Sequence, residues 1–207
     1  MHFIRIIKAN QKVYHGSPYK FEKFDQSKIG TGDGNKYGWG IYFTSNPKFA
    51  NSYGSGKETY NGKEIGIYES LVVPDLLKGK KKEIIKEYKN FEPEIVEFAK
   101  NFDPSKYERK KGYVYVCSIP NTNELLNYEG PITNKNVQKL IKDYNIKPLQ
   151  KELYGVDVYI QLAHKLGSKK AASLELQKYG VPGLYYEDDG ICFVIWDTSK
   201  IKILEVK

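Results

Sequence analysis

The chain has 207 residues, 40% of them apolar, enough for one domain with a sizeable core and too apolar for a disordered chain. Its formal charge of +8 suits an acidic partner such as nucleic acid, although lysine-rich solvated faces carry the same charge without one. The only two cysteines, Cys117 and Cys192, each lie in an apolar run, which fits buried thiols in a reducing compartment and argues against a disulfide framework. The opening "MHFIRIIKANQK" is too short and too basic within its apolar part for a secretory signal. No apolar run approaches the roughly eighteen residues of a membrane span, so the expected setting is cytoplasmic, in the producing cell or in one the protein enters.

In chain order, "KVYHGS" reads as a strand ending in a turn at Gly16. "FEKFDQSKIGTGDGNKYGWG" holds five glycines and reads as a long loop, of the kind that is usually functional or mobile. "GIYFT" is a short strand. "NPKFANSYG" is a helical turn or two, with Pro47 at a first helical position and Gly54 as the stop. "EIGIYESLVV" reads as a strand, and "KGKKKEIIKEYKNFEPEIVEFAKNF" as two amphipathic helices broken at Pro93. "GYVYVCSI" alternates as a half-buried strand does. Helical spacing returns at Val137, Leu140, Ile141 and Tyr144. It returns again from Val156 to Leu166, stopping at Gly167, and Ser168 caps a further helix ending at Gly180. "GLYYEDDGICFVIWD" reads as a hairpin turning at Asp189 and Gly190, and "KIKILEV" as a last strand. Helices in the middle with strands at both ends predict an α+β fold.

Several familiar motifs fail. "GTGDGNKYG" has Asn35 where a dinucleotide fingerprint needs its third glycine, and no βαβ unit follows. "GSGKE" has Glu58 where a P-loop needs Ser or Thr. The histidines and cysteines share no metal-ligand spacing.

What remains is "KYGWGIYFTSNPKFANSYG", with Tyr42 behind a glycine frame and Tyr53 eleven residues later. Together with His15-Gly16-Ser17, this pattern resembles the ADP-ribosyltransferase superfamily in its diphtheria-toxin and poly-ADP-ribose-polymerase-like branch. The remainder is similar to the version in phage polyvalent proteins and bacterial toxins, through Phe21 to Gly34, Val114 to Pro120, "AASLELQKYGVPGLYY" and "FVIWDTSKIKIL". The resemblance covers almost the whole chain. It implies a single domain over 1–207, a split β-sandwich of two packed antiparallel sheets, with a helical insertion over 77–110.

The resemblance also implies NAD as substrate, with no metal. Gly16 would pair with the nicotinamide carboxamide, His15 would hydrogen-bond the adenine-side ribose with Ser17 assisting, and Tyr42 and Tyr53 would clamp the ring. A cation between two tyrosine faces gains roughly 0.5 to 2 kcal/mol, so the physics agrees. Taken alone, His15 would read as a strand histidine and Tyr42 as core packing; the constellation favours the ligand readings. Trp39 and Trp196 read as packing, and Asp188 and Asp189 first of all as turn residues.

The pattern departs at two places. Cys192 stands where the polymerase-like branch has a glutamate under the nicotinamide-side ribose, and Ala50 where it has a serine to the carboxamide. A thiol in an apolar strand supplies no charge at pH 7. Glu187, with Asp188 or Asp189, could bring the acid from the hairpin; otherwise transfer proceeds without a carboxylate. The expected activity is mono-ADP-ribosyl transfer to a macromolecular acceptor, protein ahead of RNA or DNA, by a toxin or phage or bacterial effector that an inhibitory partner protein could restrain. The rival readings are a non-catalytic NAD- or ADP-ribose-binding module, which Cys192 favours, and a basic RNA- or DNA-binding domain, which only the charge favours.

Overall fold

The computed structural model describes residues 11–30, 35–54, 56–149, 151–188 and 190–207. The opening dodecapeptide up to Asn10, the centre of the glycine-rich loop (31–34), Ser55 and the turn residue Asp189 therefore lie outside the described residues. The strands are β1 (Gln11–Ser17), β2 (Ile41–Thr44), β3 (Glu58–Tyr60), β4 (Lys63–Glu64), β5 (Tyr107–Arg109), β6 (Tyr113–Ile119), β7 (Leu126–Asn127), β8 (Gly183–Asp188), β9 (Gly190–Ile195) and β10 (Lys202–Val206). The α-helices are α1 (Pro47–Tyr53), α2 (Ile67–Leu77), α3 (Lys81–Tyr88), α4 (Pro93–Asn101), α5 (Lys135–Asp143), α6 (Gly155–Leu166) and α7 (Lys169–Lys178). The fold is α+β, and the chain forms two compact units, Met1–Ser55 with Tyr113–Lys207, and Gly56–Gly112.

The larger unit is built on a seven-stranded sheet in the order β10-β6-β1-β2-β9-β8-β7, antiparallel except for the β7–β8 pair. Strand alternation gives the sheet two apolar faces. On one lie Val13, Phe43, Tyr115, Cys117, Phe193 and Ile195. On the other Leu184, Tyr186, Cys192 and Val194 meet Leu140 of α5, Val158, Tyr159 and Leu162 of α6, and Leu176 of α7. Each Leu, Val or Phe so buried contributes about 1.5 to 3 kcal/mol. The two cysteines sit on opposite faces, so no disulfide can join them.

The expected sandwich split takes the form of a weak seam inside one continuous sheet. β1 pairs with β6 over seven residues, and β2 with β9 over four, but β1 and β2 share the single register pair Tyr14↔Thr44.

The helix ends follow local chemistry. Asn46 accepts the N–H groups of Lys48 and Phe49 at the start of α1, with Pro47 at its first position. Ser168 caps α7 through Ala171 N–H, and Gly167, at φ 83°, ends α6.

The smaller unit holds a β4-β3-β5 sheet and helices α2 to α4 around Val72, Val73, Leu76, Ile84, Ile95 and Ala99. The helices expected on either side of Pro93 are present as α3 and α4. The insertion expected over 77–110 falls within this unit, which begins earlier, at Gly56.

Two expectations need correction. "EIGIYESLVV" is not a strand: from Ile67 onward it forms α2, because Val72, Val73 and Leu76 make one helical stripe against α3 and α4. Gly16 is not in a turn but inside β1, paired with Val114.

Candidate active site at the seam between β1 and β2

Beyond Tyr14↔Thr44, the ring of His15 replaces the missing ladder bond, with Nδ1 2.8 Å from the Tyr42 carbonyl. A carbonyl only accepts, so Nδ1 carries the proton and Nε2 keeps its lone pair as an acceptor. Burial lowers the His15 pKa, partly offset by this backbone bond, so the imidazole is neutral at pH 7. The ring sits among Phe24 at 5.1 Å, Phe43 at 5.6 Å, Tyr115 at 6.2 Å and Phe21 at 6.3 Å. Phe21 stacks on Tyr115 at 4.1 Å, and the Tyr115 hydroxyl accepts the Phe21 N–H at 2.6 Å.

Gly16 leaves the opposite face of β1, where α1 rests on the strand. A Cβ on Gly16 would lie 1.9 Å from the Ala50 carbonyl oxygen, 2.4 Å from Gly54 N and 2.8 Å from the Tyr53 carbonyl carbon. Only glycine admits this approach. The same contact brings Tyr53 to the seam, where its ring is 65% exposed and braced edge-on by Phe49 at 5.3 Å.

Tyr42 shares the face of Gly16. Its hydroxyl donates to Gly38 O at 2.9 Å and accepts the N–H groups of Tyr37 and Gly38, each at 3.2 Å. Burial pushes its pKa up to about 12, so the phenol stays protonated. Gly16, Tyr42 and α1, which ends at Tyr53, thus lie on one face, and His15 ties the seam from the other.

The remaining candidates are placed differently. Ser17 is buried, and its Oγ accepts the Tyr19 N–H at 3.1 Å, closing the turn after β1. Cys192 is 1% exposed and lies in register between Thr44 and Tyr186. Burial and the neighbouring Cys192 raise the Tyr186 pKa, and Tyr37 stacks on Tyr186 at 3.7 Å and 18°. Glu187 pairs with Ile191, and its N–H donates to Glu129 Oε2 at 3.0 Å. Alternation sends Glu187 to the Tyr185 face, away from Cys192, and returns Asp188 to the Cys192 face. Glu187, the acid expected from the hairpin, thus lies on the face opposite Cys192.

The aromatic cage around His15 and the Tyr37–Tyr186 stack were not anticipated from the sequence. The Phe21-Phe24 spacing signalled the former; nothing local signalled the latter. Among the described residues no group of His, Cys, Asp or Glu is arranged to hold a metal, and no helix is long and apolar enough to cross a membrane. A family model described as ADP-ribosyltransferase in polyvalent proteins matches residues 9–202. No curated protein and no solved structure matches the chain.

Proposed function

The chain belongs to the ADP-ribosyltransferases of polyvalent proteins, and from that premise we propose that it is a mono-ADP-ribosyltransferase that uses NAD to modify a macromolecule. The observation that carries this reading is the seam: Gly16, Tyr42 and α1, which ends at Tyr53, on one face, tied by a neutral His15 from the other. NAD supplies a cationic nicotinamide as leaving group and the ADP-ribosyl unit to be passed on.

The residues at the seam fit such a molecule. The exposed Tyr53 ring and the fixed Tyr42 ring offer aromatic faces to a flat cation, worth roughly 0.5 to 2 kcal/mol. Gly16 lies past the single register pair that β1 shares with β2, so its backbone groups on that side can serve a carboxamide. His15 Nε2 accepts a ribose hydroxyl, since burial lowers the imidazole pKa and favours the neutral ring. Cys192, buried between Thr44 and Tyr186, has no part in transfer. Asp188, exposed at the hairpin tip and on the Cys192 face, supplies the negative charge for the developing sugar cation, a hydrogen bond to charge being worth roughly 1.5 to 3 kcal/mol.

We take the acceptor to be a protein, with RNA or DNA second on the strength of the +8 charge, and the setting to be that of a toxin or effector. Labelled NAD incubated with the protein and cell lysate tests the proposal, with label expected on protein and nicotinamide released. Label on nucleic acid would reassign the acceptor. Tight NAD binding without release of nicotinamide would establish the second reading, a binding module without turnover, which the buried Cys192 in the glutamate position favours.

A further inference from the structure

Trp39 is gripped through its backbone by two residues far along the chain. Its N–H donates to the Tyr159 hydroxyl at 3.0 Å, and its carbonyl accepts from Ser173 Oγ at 2.9 Å. The two hydroxyls lie 2.8 Å apart. Since the Ser173 proton goes to the Trp39 carbonyl, its oxygen accepts from Tyr159. When the Tyr159 proton turns to Ser173, the hydrogen bonds close into a ring: Trp39 N–H to Tyr159, Tyr159 to Ser173, Ser173 back to Trp39 O. The Lys169 carbonyl, 3.0 Å from Tyr159, is a second acceptor for the Tyr159 proton.

Both side chains are fully buried. A hydroxyl in an apolar core is costly unless paired, so a site needing only volume would take Phe and Ala. The segment they hold has glycines at 38 and 40 and must be steadied from outside. Lys169 Nζ adds an outer tether, donating to the carbonyls of Asn35 and Lys36 at 2.7 and 2.8 Å. The segment in turn fixes Tyr42, whose hydroxyl bonds to backbone groups of Tyr37 and Gly38, next to Trp39.

We propose that Tyr159 and Ser173 are positioning residues for Tyr42, presetting its ring for the ligand through the backbone of Gly38 and Trp39. This rests on the reading of the seam as the NAD site. Tyr159→Phe and Ser173→Ala each remove a single oxygen, so the core volume is kept. NAD titration and amide exchange on these variants, on Tyr42→Phe and on Tyr159→Phe/Tyr42→Phe provide the test. Each single variant is expected to bind NAD roughly three- to tenfold more weakly, the worth of one buried hydrogen bond. The amides of residues 37–39 should exchange faster while those of α6 and α7 keep their protection. The double variant should bind within about twofold of Tyr42→Phe alone, because both act through one ring. Effects that multiply in the double variant, or unchanged affinity despite faster exchange at 37–39, would overturn the assignment and leave the NAD site standing. Absence of NAD binding by the unaltered protein would overturn the reading of the site and this assignment with it.

Discussion

Replacing Gly16 with alanine is the most direct challenge to the seam. The new Cβ would sit 1.9 Å from the Ala50 carbonyl oxygen, whereas ordinary contact begins near 3.4 Å. Either the last turn of α1 retreats or β1 bends, and the needed shift is about 1.5 Å. The crowded atoms belong to the backbone of Ala50, Tyr53 and Gly54, so no rotamer change relieves them. Such overpacking costs about 1 to 3 kcal/mol, a fall in Tm of about 2 to 12 °C for a chain of this size. The functional loss should be larger, because Tyr53 rides on the displaced turn and a misplacement of about 1 Å can cost about a hundredfold in rate. Thermal unfolding together with nicotinamide release from NAD would measure both effects. Adding Ala50→Gly should restore nothing, since the clash is with a carbonyl oxygen that glycine keeps. Rescue by Ala50→Gly, or a Gly16→Ala protein with unchanged Tm and turnover, would refute the close approach of α1 to β1.

Asp188→Asn is expected to lower transfer at least about tenfold with NAD affinity little changed, as for an interaction made mainly in the transition state. Glu187→Gln and Cys192→Ser should stay near the unaltered rate; loss of turnover in Cys192→Ser alone would give the thiol a chemical role. Tyr53→Ala, which removes an exposed ring and little packing, should weaken NAD binding by roughly two- to thirtyfold without moving Tm, as titration and calorimetry would show. His15 adds a pH dependence to stability. Its folded pKa lies below the ordinary imidazole value of 6.5, so below that pH the unfolded chain takes a proton the folded one refuses. The His15 contribution is therefore complete above pH 6.5 and declines as the pH falls further, at up to about 1.4 kcal/mol per unit. Denaturant melts of His15→Asn between pH 7.5 and 5 should show a shallower decline; an identical slope would exclude His15 as its source.

The elements written into short stretches of sequence were legible without the structure. Pro47 starts α1, Ser168 starts α7 and Gly167 ends α6, because caps and stops act on backbone groups within a turn of themselves. The α+β class was legible too, as was the glycine-framed pattern of His15, Tyr42 and Tyr53 that pointed to the family. "IYESLVV" was not, since so short an apolar run suits a strand or a helix equally, and only the neighbouring α3 and α4 decided for the helix. The reason for Gly16 was likewise invisible: it lies in the backbone of a helix more than thirty residues on. Strand pairing decided that Asp188 and not Glu187 shares a face with Cys192, because a shift of one residue reverses the face. The grip of Tyr159 and Ser173 on Trp39 spans 120 and 134 residues. No local pattern encodes such a contact; it exists only once the sheet and the α6–α7 pair have brought the three residues together.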